Sequence, residues 1–236
     1  MKPWHKIGSV VLTGWLLSSP VQAMSGGHFW GVSFEELEYR TGDEDLLAWN
    51  GDLYYGSDEL TFRWQPSGEY VLEESQYASL QNNLVVQKPV SGFFDVKAGV
   101  RLDTPEGEDR NYVLFGVTGL APQWIEMDAN FYWSDNSKAS ADLDLEYEIL
   151  LTNYWVLSAA MDVKVGFHED LEIGQAKGLN ATELGFRLSR DLLGRTLSPY
   201  VGVVNERLYG DRKDWAEAAG SEPSEWFAVI GARLMF

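Results

Sequence analysis

Residues 226–236 read Trp226-Phe227-Ala228-Val229-Ile230-Gly231-Ala232-Arg233-Leu234-Met235-Phe236. Every second residue from Trp226 to Phe236 is apolar, whereas the interleaved set, Phe227, Val229, Gly231, Arg233 and Met235, carries a charge. A strand keeps these two sets on opposite faces; a helix would mix them. Eleven residues is also the length a tilted strand needs to cross a hydrocarbon core of about 30 Å. The stretch therefore reads as the closing strand of a membrane β-barrel.

The same period recurs upstream. In 139–150, Ala141, Leu143, Leu145, Tyr147 and Ile149 alternate with Asp142, Asp144, Glu146 and Glu148. In 92–102, Phe94, Val96, Ala98, Val100 and Leu102 alternate with Asp95, Lys97, Gly99 and Arg101. Strands are expected at 29–40, 46–54, 58–65, 70–87, 92–102, 111–118, 122–133, 139–150, 155–167, 179–190, 198–208 and 226–236, the fourth long enough to extend beyond a membrane. The links after even-numbered strands are short, while 103–110, 168–178 and 209–225 are longer and polar. Short periplasmic turns alternating with longer external loops are the pattern of an outer-membrane barrel. The fold class expected is thus all-β, a closed antiparallel up-and-down transmembrane β-barrel of about 12 strands, with ten as the alternative. Aromatic residues near strand ends, among them Trp30, Tyr55, Trp124, Tyr132, Trp133, Tyr154, Trp155, Tyr200 and Trp226, are assigned to the two interfacial girdles.

The amino terminus carries its own signal. Lys2, His5 and Lys6 precede an apolar run from Ile7 to Leu17, and Val21-Gln22-Ala23 supplies small residues for cleavage. Residues 1–23 read as an export signal, 24–34 as a short segment leading into the first strand, and 35–236 as the barrel. No later segment stays apolar for the roughly 18 residues a spanning helix needs. Without residues 1–23 the chain has 213 residues, with 16 basic against 36 acidic side chains, a net charge of −20. Such a chain repels nucleic acid and attracts cations. Cysteine is absent, so thiolate ligands and disulfides are excluded.

If the apolar parity faces lipid, the other parity fills the interior with Glu126, Asp128, Asp142, Asp144, Glu146, Glu148, Asp162, Lys164, Glu183, Arg187 and Arg233, alongside Asp95, Lys97 and Arg101. Buried charges must be partnered, so mutual ion pairing is the first expectation for such an interior. Four carboxylates on one side of 139–150, about 7 Å apart along the strand, repel unless a cation intervenes. Arg101, Lys164, Arg187 or a metal ion would each supply that charge. Catalysis has little support: His28 and His168 are far apart, and no nucleophile elbow or metal-ligand spacing of the HxxxH or CxxC kind occurs.

The stretches Gly99-Val100-Arg101-Leu102-Asp103, Gly116-Val117-Thr118-Gly119-Leu120-Ala121-Pro122 and Leu145-Glu146-Tyr147-Glu148-Ile149-Leu150-Leu151-Thr152 resemble the copper-resistance protein B family (CopB/PcoB). So do Pro199-Tyr200-Val201-Gly202-Val203, Ala218-Ala219-Gly220 and the final Gly231 to Phe236, which brings the match to approximately 35–236. The resemblance implies an outer-membrane barrel of copper resistance that binds copper ions transiently or passes them across the membrane, and it implies no known reaction. No enzyme is expected, and the alternative is a structural or surface-interaction barrel whose lumen is plugged by ion pairs. The partners that the resemblance implies are copper ions, outer-membrane lipid and a periplasmic copper oxidase or carrier. Members of the family often carry a Met- and His-rich amino-terminal region suited to copper. Here the segment between the expected cleavage site and the first strand offers only Met24 and His28. The candidate copper-concentrating groups are therefore Glu126, Asp128, Asp142, Asp144, Glu146 and Glu148 inside, and His168, Glu169 and Asp170 outside. Met127 and Met161 have lipid-facing parity and read as packing.

Overall fold

In a computed structural model the described residues are 27–105 and 109–236. The expected export signal, 1–23, lies outside them. The strands are β1 (Phe29–Thr41), β2 (Leu46–Ser57), β3 (Leu60–Val71), β4 (Gln76–Pro89), β5 (Phe94–Pro105) and β6 (Arg110–Ala121). They continue as β7 (Ile125–Ser134), β8 (Ala139–Leu150), β9 (Trp155–Gly166), β10 (Gly178–Arg190), β11 (Leu197–Leu208) and β12 (Ser224–Met235). Each pairs antiparallel with its sequence neighbour, and β12 closes on β1 to complete a twelve-stranded barrel. Closure gives every strand two partners, so no sheet edge is left for lipid to satisfy. At the seam the Val32 N–H donates to the Phe236 carbonyl at 3.1 Å, and the Phe236 N–H donates back to Val32 at 2.8 Å.

The parity read from β12 holds. Trp226 and Ile230 are about three-fifths exposed on the outside, while Phe227 and Val229 are buried inside. Exposed apolar residues mark the outward parity along the middle of the other strands too, with Phe115, Phe62 and Val201 as examples. Two of the expected girdle aromatics depart from this: Tyr132 and Tyr200 have inward parity and are 3% and 5% exposed. Their hydroxyls reach carboxylates, Tyr132 to Asp142 at 2.7 Å and Tyr200 to Glu38 at 2.9 Å.

Three local features differ from the simple alternation. The 70–87 segment is not one strand, because Val71 ends β3 and Gln76 begins β4, with Ser75 in the left-handed region at φ 57°. Pro66-Ser67-Gly68 lies inside β3, and Gly68 lacks the side chain that would collide with the Trp49 ring, 2.5 Å from a Cβ there. In β1 the register shifts between Phe34 and Glu36. This bulge turns Glu36, Glu38 and Arg40 inward although Ser33 is inward too. The long 209–225 link also contains a helix, α1 (Gly210–Ala219), ended by Gly220 in the left-handed conformation at φ 89°.

Both termini lie at one rim of the barrel, hereafter the terminal rim. The long links 167–177 and 209–223, the second carrying α1, lie at the opposite, loop rim.

Candidate functional site

The inward parity of twelve strands makes one continuous lumen, and its charges are unevenly partnered. On one side, Arg40 and Arg187 sit among Glu36, Glu38, Glu69, Glu183 and Glu206. Arg40 Nε reaches Glu38 at 2.7 Å, and its Nη atoms reach Glu206 at 3.0 Å, Glu183 at 3.1 Å and Glu69 at 3.4 Å. Beside this network Leu46, Val71, Tyr200, Val204, Phe227 and Val229 form an apolar cluster within the barrel. The wall formed by β1 and β10–β12 is therefore filled.

The remaining lumen contains a cavity of about 860 Å³, lined by Glu35, Asp52, Glu126, Asp128, Asp144 and Asp162 among others. Lys97 Nζ is 2.6 Å from Asp128, and Arg63 is 2.6 Å from Asp52. Arg233 is 2.8 Å from Glu146 and also contacts Glu148. Arg101 is 2.8 Å from Asp103 and 3.5 Å from Asp142.

The registers bring acids from successive strands side by side. Asp128 on β7 pairs with Asp144 on β8, Asp144 with Asp162 on β9, and Asp162 with Glu183 on β10. Glu183 then pairs with Glu206 on β11, and Glu206 with Glu225 on β12. Six carboxylates on six adjacent strands thus share one row. Because barrel strands tilt, a row across them climbs along the axis. It starts near the terminal rim at Asp128, four residues into β7, and ends at the loop rim with Glu225, second in β12. Five steps of about 4.8 Å make the row about 24 Å long. Asp128, Asp144, Asp162 and Glu183 line the cavity, while Glu206 and Glu225 continue the row along the filled wall. Asp144 and Asp162 have no ion pair among the described residues, whereas Lys97 serves Asp128 and Arg40 serves Glu183 and Glu206.

Of the interior residues picked from sequence, Glu126 and Glu146 are cross-strand partners, as are Asp128 and Asp144, while Asp142 faces Asn130. The external three take separate partners. His168 Nδ1 accepts the Ala139 N–H at 3.1 Å, and the Glu169 carbonyl accepts Lys138 Nζ at 2.5 Å. Asp170 is buried, accepting from Arg110 Nε at 3.2 Å and Asn136 at 2.8 Å. Burial pushes the Asp170 carboxyl up, but the hydrogen bonds from Arg110 and Asn136 and the nearby Lys138 charge outweigh it and hold it below the usual carboxylate range. His28 stacks on Tyr55 at the terminal rim, ring centroids 5.5 Å apart.

Among the described residues, one group of three acids brings its oxygens within 4.8 Å of one another: Glu69, Glu183 and Glu206. Arg40 already bridges all three. Sequence reasoning missed Glu36, Glu38, Arg40, Glu69 and Glu206. The signal available was the break in alternation at Phe34-Glu35-Glu36-Leu37, where two adjacent acids interrupt the apolar parity.

Residues 28–236 match the family model described as Copper resistance protein B precursor (CopB). The Copper resistance protein B of Escherichia coli is 31% identical over 206 residues, covering 87% of this chain and 69% of that protein. A Copper resistance protein B homolog of Pseudomonas syringae pv. tomato is 29% identical over 203 residues, covering 86% and 68%. Among solved structures, the NanC porin superposes with a TM-score of 0.54 at 12% identity, covering 87% of this chain and 99% of the porin. At that identity the likeness is one of fold. The porin-like barrel and the family match together support a location in the Gram-negative outer membrane. The chain belongs to the copper resistance protein B family.

Proposed function

We propose that this barrel binds copper ions transiently in its lumen and passes them across the outer membrane. The observation that carries the reading is the register row from Asp128 to Glu225, six carboxylates in sequence from near one rim to the other. Like charges one strand apart disfavour each other unless a cation stands between them. Built-in cations cover Asp128, Glu183 and Glu206, which leaves Asp144 and Asp162 for a mobile one.

In this reading Glu126, Asp128, Asp142, Asp144, Glu146 and Glu148 concentrate the ion inside, and exposed His168 and Glu169, beside Asp170, meet it at the loop rim. The copper ion is cargo, and no chemical step is assigned to the barrel. Carboxylates discriminate weakly among divalent ions. Preference for copper then rests on a partner with softer ligands, a periplasmic copper oxidase or carrier. Residues 1–23 act as the export signal, 24–34 lead into the barrel, and the outward parity of 35–236 contacts outer-membrane lipid.

A deletion strain grown across a copper series tests the role. Altered copper tolerance and altered cell copper are expected, and no change in either overturns it. A second reading, a structural barrel whose interior is closed by ion pairs, is favoured by the Arg40 and Arg187 network and the apolar cluster beside it. Conductance in planar bilayers separates the two, because a closed barrel passes no ions.

A further inference from the structure

The lumen changes character at the loop rim. There a second cavity of about 140 Å³ is lined from β4–β10, from the 167–177 link and from α1. Gln81, Asp142 and Lys164 line both this chamber and the larger cavity, so they mark the boundary between the two. Three cations line the small chamber, Arg101, Lys164 and Arg212, against two acids, Asp103 and Asp142.

Both acids are already engaged. Arg101 is 2.8 Å from Asp103 and 3.5 Å from Asp142, and the Tyr132 hydroxyl donates to Asp142 at 2.7 Å. Lys164 and Arg212, by contrast, have no hydrogen bond or ion pair among the described residues, although the charges of Glu69, Asp162, Glu183 and Glu206 act on Lys164 and that of Glu206 on Arg212. The hydroxyls of Tyr112 and Ser140, residues that line the same space, have no hydrogen bond among the described residues either. Burial pushes the Arg212 guanidinium down from its ordinary value, opposed only by the charge of Glu206. A guanidinium partly withdrawn from water without an ion pair is costly, and Lys164 presents its ammonium openly to the same space. Lys164, Arg212, Tyr112 and Ser140 all line one chamber, and donors of these types suit an oxyanion, the guanidinium fork matching two of its oxygens.

We propose that the loop-rim chamber binds a small oxyanion, a carboxylate or phosphate group, held by Lys164 and Arg212 with the Tyr112 and Ser140 hydroxyls. The site is independent of the copper reading. It gives the outer end of the lumen a preference opposite to that of the acid row, so a bound anion offsets the positive charge a cation meets there.

Titration calorimetry on the folded barrel in detergent at low ionic strength tests it, with inorganic phosphate and citrate as separate probes. Saturable binding of at least one probe is expected, at one site per barrel. Loss of a charged hydrogen-bond partner should weaken it by about tenfold in Lys164→Met and in Arg212→Gln. Lys88→Met, which removes an exposed cation at the terminal rim, should leave it unchanged. Arg212 lies on α1 outside the strands, so its variant keeps the test valid if Lys164→Met does not fold. Absence of binding for both probes overturns the proposal, and so does equal weakening by Lys88→Met.

Discussion

Arg187 on β10 grips Glu38 on β1 with two hydrogen bonds, Nε to one carboxylate oxygen at 3.0 Å and Nη2 to the other at 2.9 Å. The two strands are not neighbours, since β11 and β12 stand between them in the barrel. The pair is therefore a chord inside the cylinder, not a rung of the sheet. Glu38 also accepts from Arg40 Nε and the Tyr200 hydroxyl, so four donors meet one fully buried carboxylate. Gly231 on β12 leaves the gap this needs, because a Cβ there would lie 2.7 Å from the Tyr200 ring and from Glu38 Cβ.

Breaking that chord on one side should be expensive. Glu38→Gln leaves two guanidinium groups short of a counter-charge and is expected to cost about 3–5 kcal/mol of stability. Replacing Glu38 by Leu and Arg187 by Met together should cost less than the two single changes combined, because neither leaves the other unpaired. Reversible urea unfolding in lipid vesicles measures both. Additive losses would show that the pair does not act as a unit.

The alternation of β12 and β8 was enough to read the barrel, because in a membrane each parity meets a different solvent and a strand cannot exchange them. What lay beyond the sequence was register. Asp128 and Asp144 are legible as neighbours once β7 and β8 form a hairpin, but the continuation to Asp162, Glu183, Glu206 and Glu225 depends on how four further pairs align. The Arg40 network was hidden for a different reason. A one-residue bulge beside Glu35 moves Glu38 and Arg40 to the inward face, and strict period-two counting has no place for it. Arg212 was out of reach because it comes from a helix that folds over the loop rim within a stretch read as loop.

The outward parity makes its own demand. Val203 is the seventh of twelve residues in β11 and is 43% exposed on the outside, the place of a mid-bilayer lipid contact. Val203→Arg should therefore cost about 2–4 kcal/mol in a bilayer. Val203→Ala keeps the face apolar and should cost under about 1 kcal/mol. Unfolding of both variants in vesicles gives the comparison, and equal stability of the arginine variant and the parent would be incompatible with a lipid-facing Val203.

The Asp170 latch predicts a pH response at the loop rim. Its carboxyl is held below the ordinary value near 3.9 by Arg110, Asn136 and Lys138 despite burial. A carboxyl lowered in the folded state contributes stability that is fully present above its unfolded value and is lost as pH falls through the folded value. The 167–177 link should thus stay protected from proteolysis from neutral pH down to about pH 4 and open only below it. Asp170→Asn should remove that acid transition and expose the link at neutral pH. Pulsed digestion with an acid-active protease, mapped by mass spectrometry, reads both outcomes; the same opening profile in parent and variant would remove Asp170 as the cause.

The acid row predicts the sign of the current through the lumen. Asp144 and Asp162 lie side by side in the row and have no ion pair among the described residues, so no cation at contact distance offsets either of them. At about 4 Å in water-like surroundings a unit charge contributes about 1 kcal/mol, which corresponds to about fivefold in ion preference. Asp144→Asn and Asp162→Asn should each reduce the cation-to-anion permeability ratio by about that factor, and the double variant by more. Arg40→Met acts in the opposite direction. It releases Glu69, Glu183 and Glu206 from their shared guanidinium, and their oxygens then lie close enough to hold a divalent cation and slow its passage. Reversal potentials across a salt gradient measure the first effect, and block of monovalent current by added copper measures the second. If neutralising Asp144 and Asp162 left the reversal potential where it was, the row would not govern what passes, and the copper pathway argued from it would lose its footing.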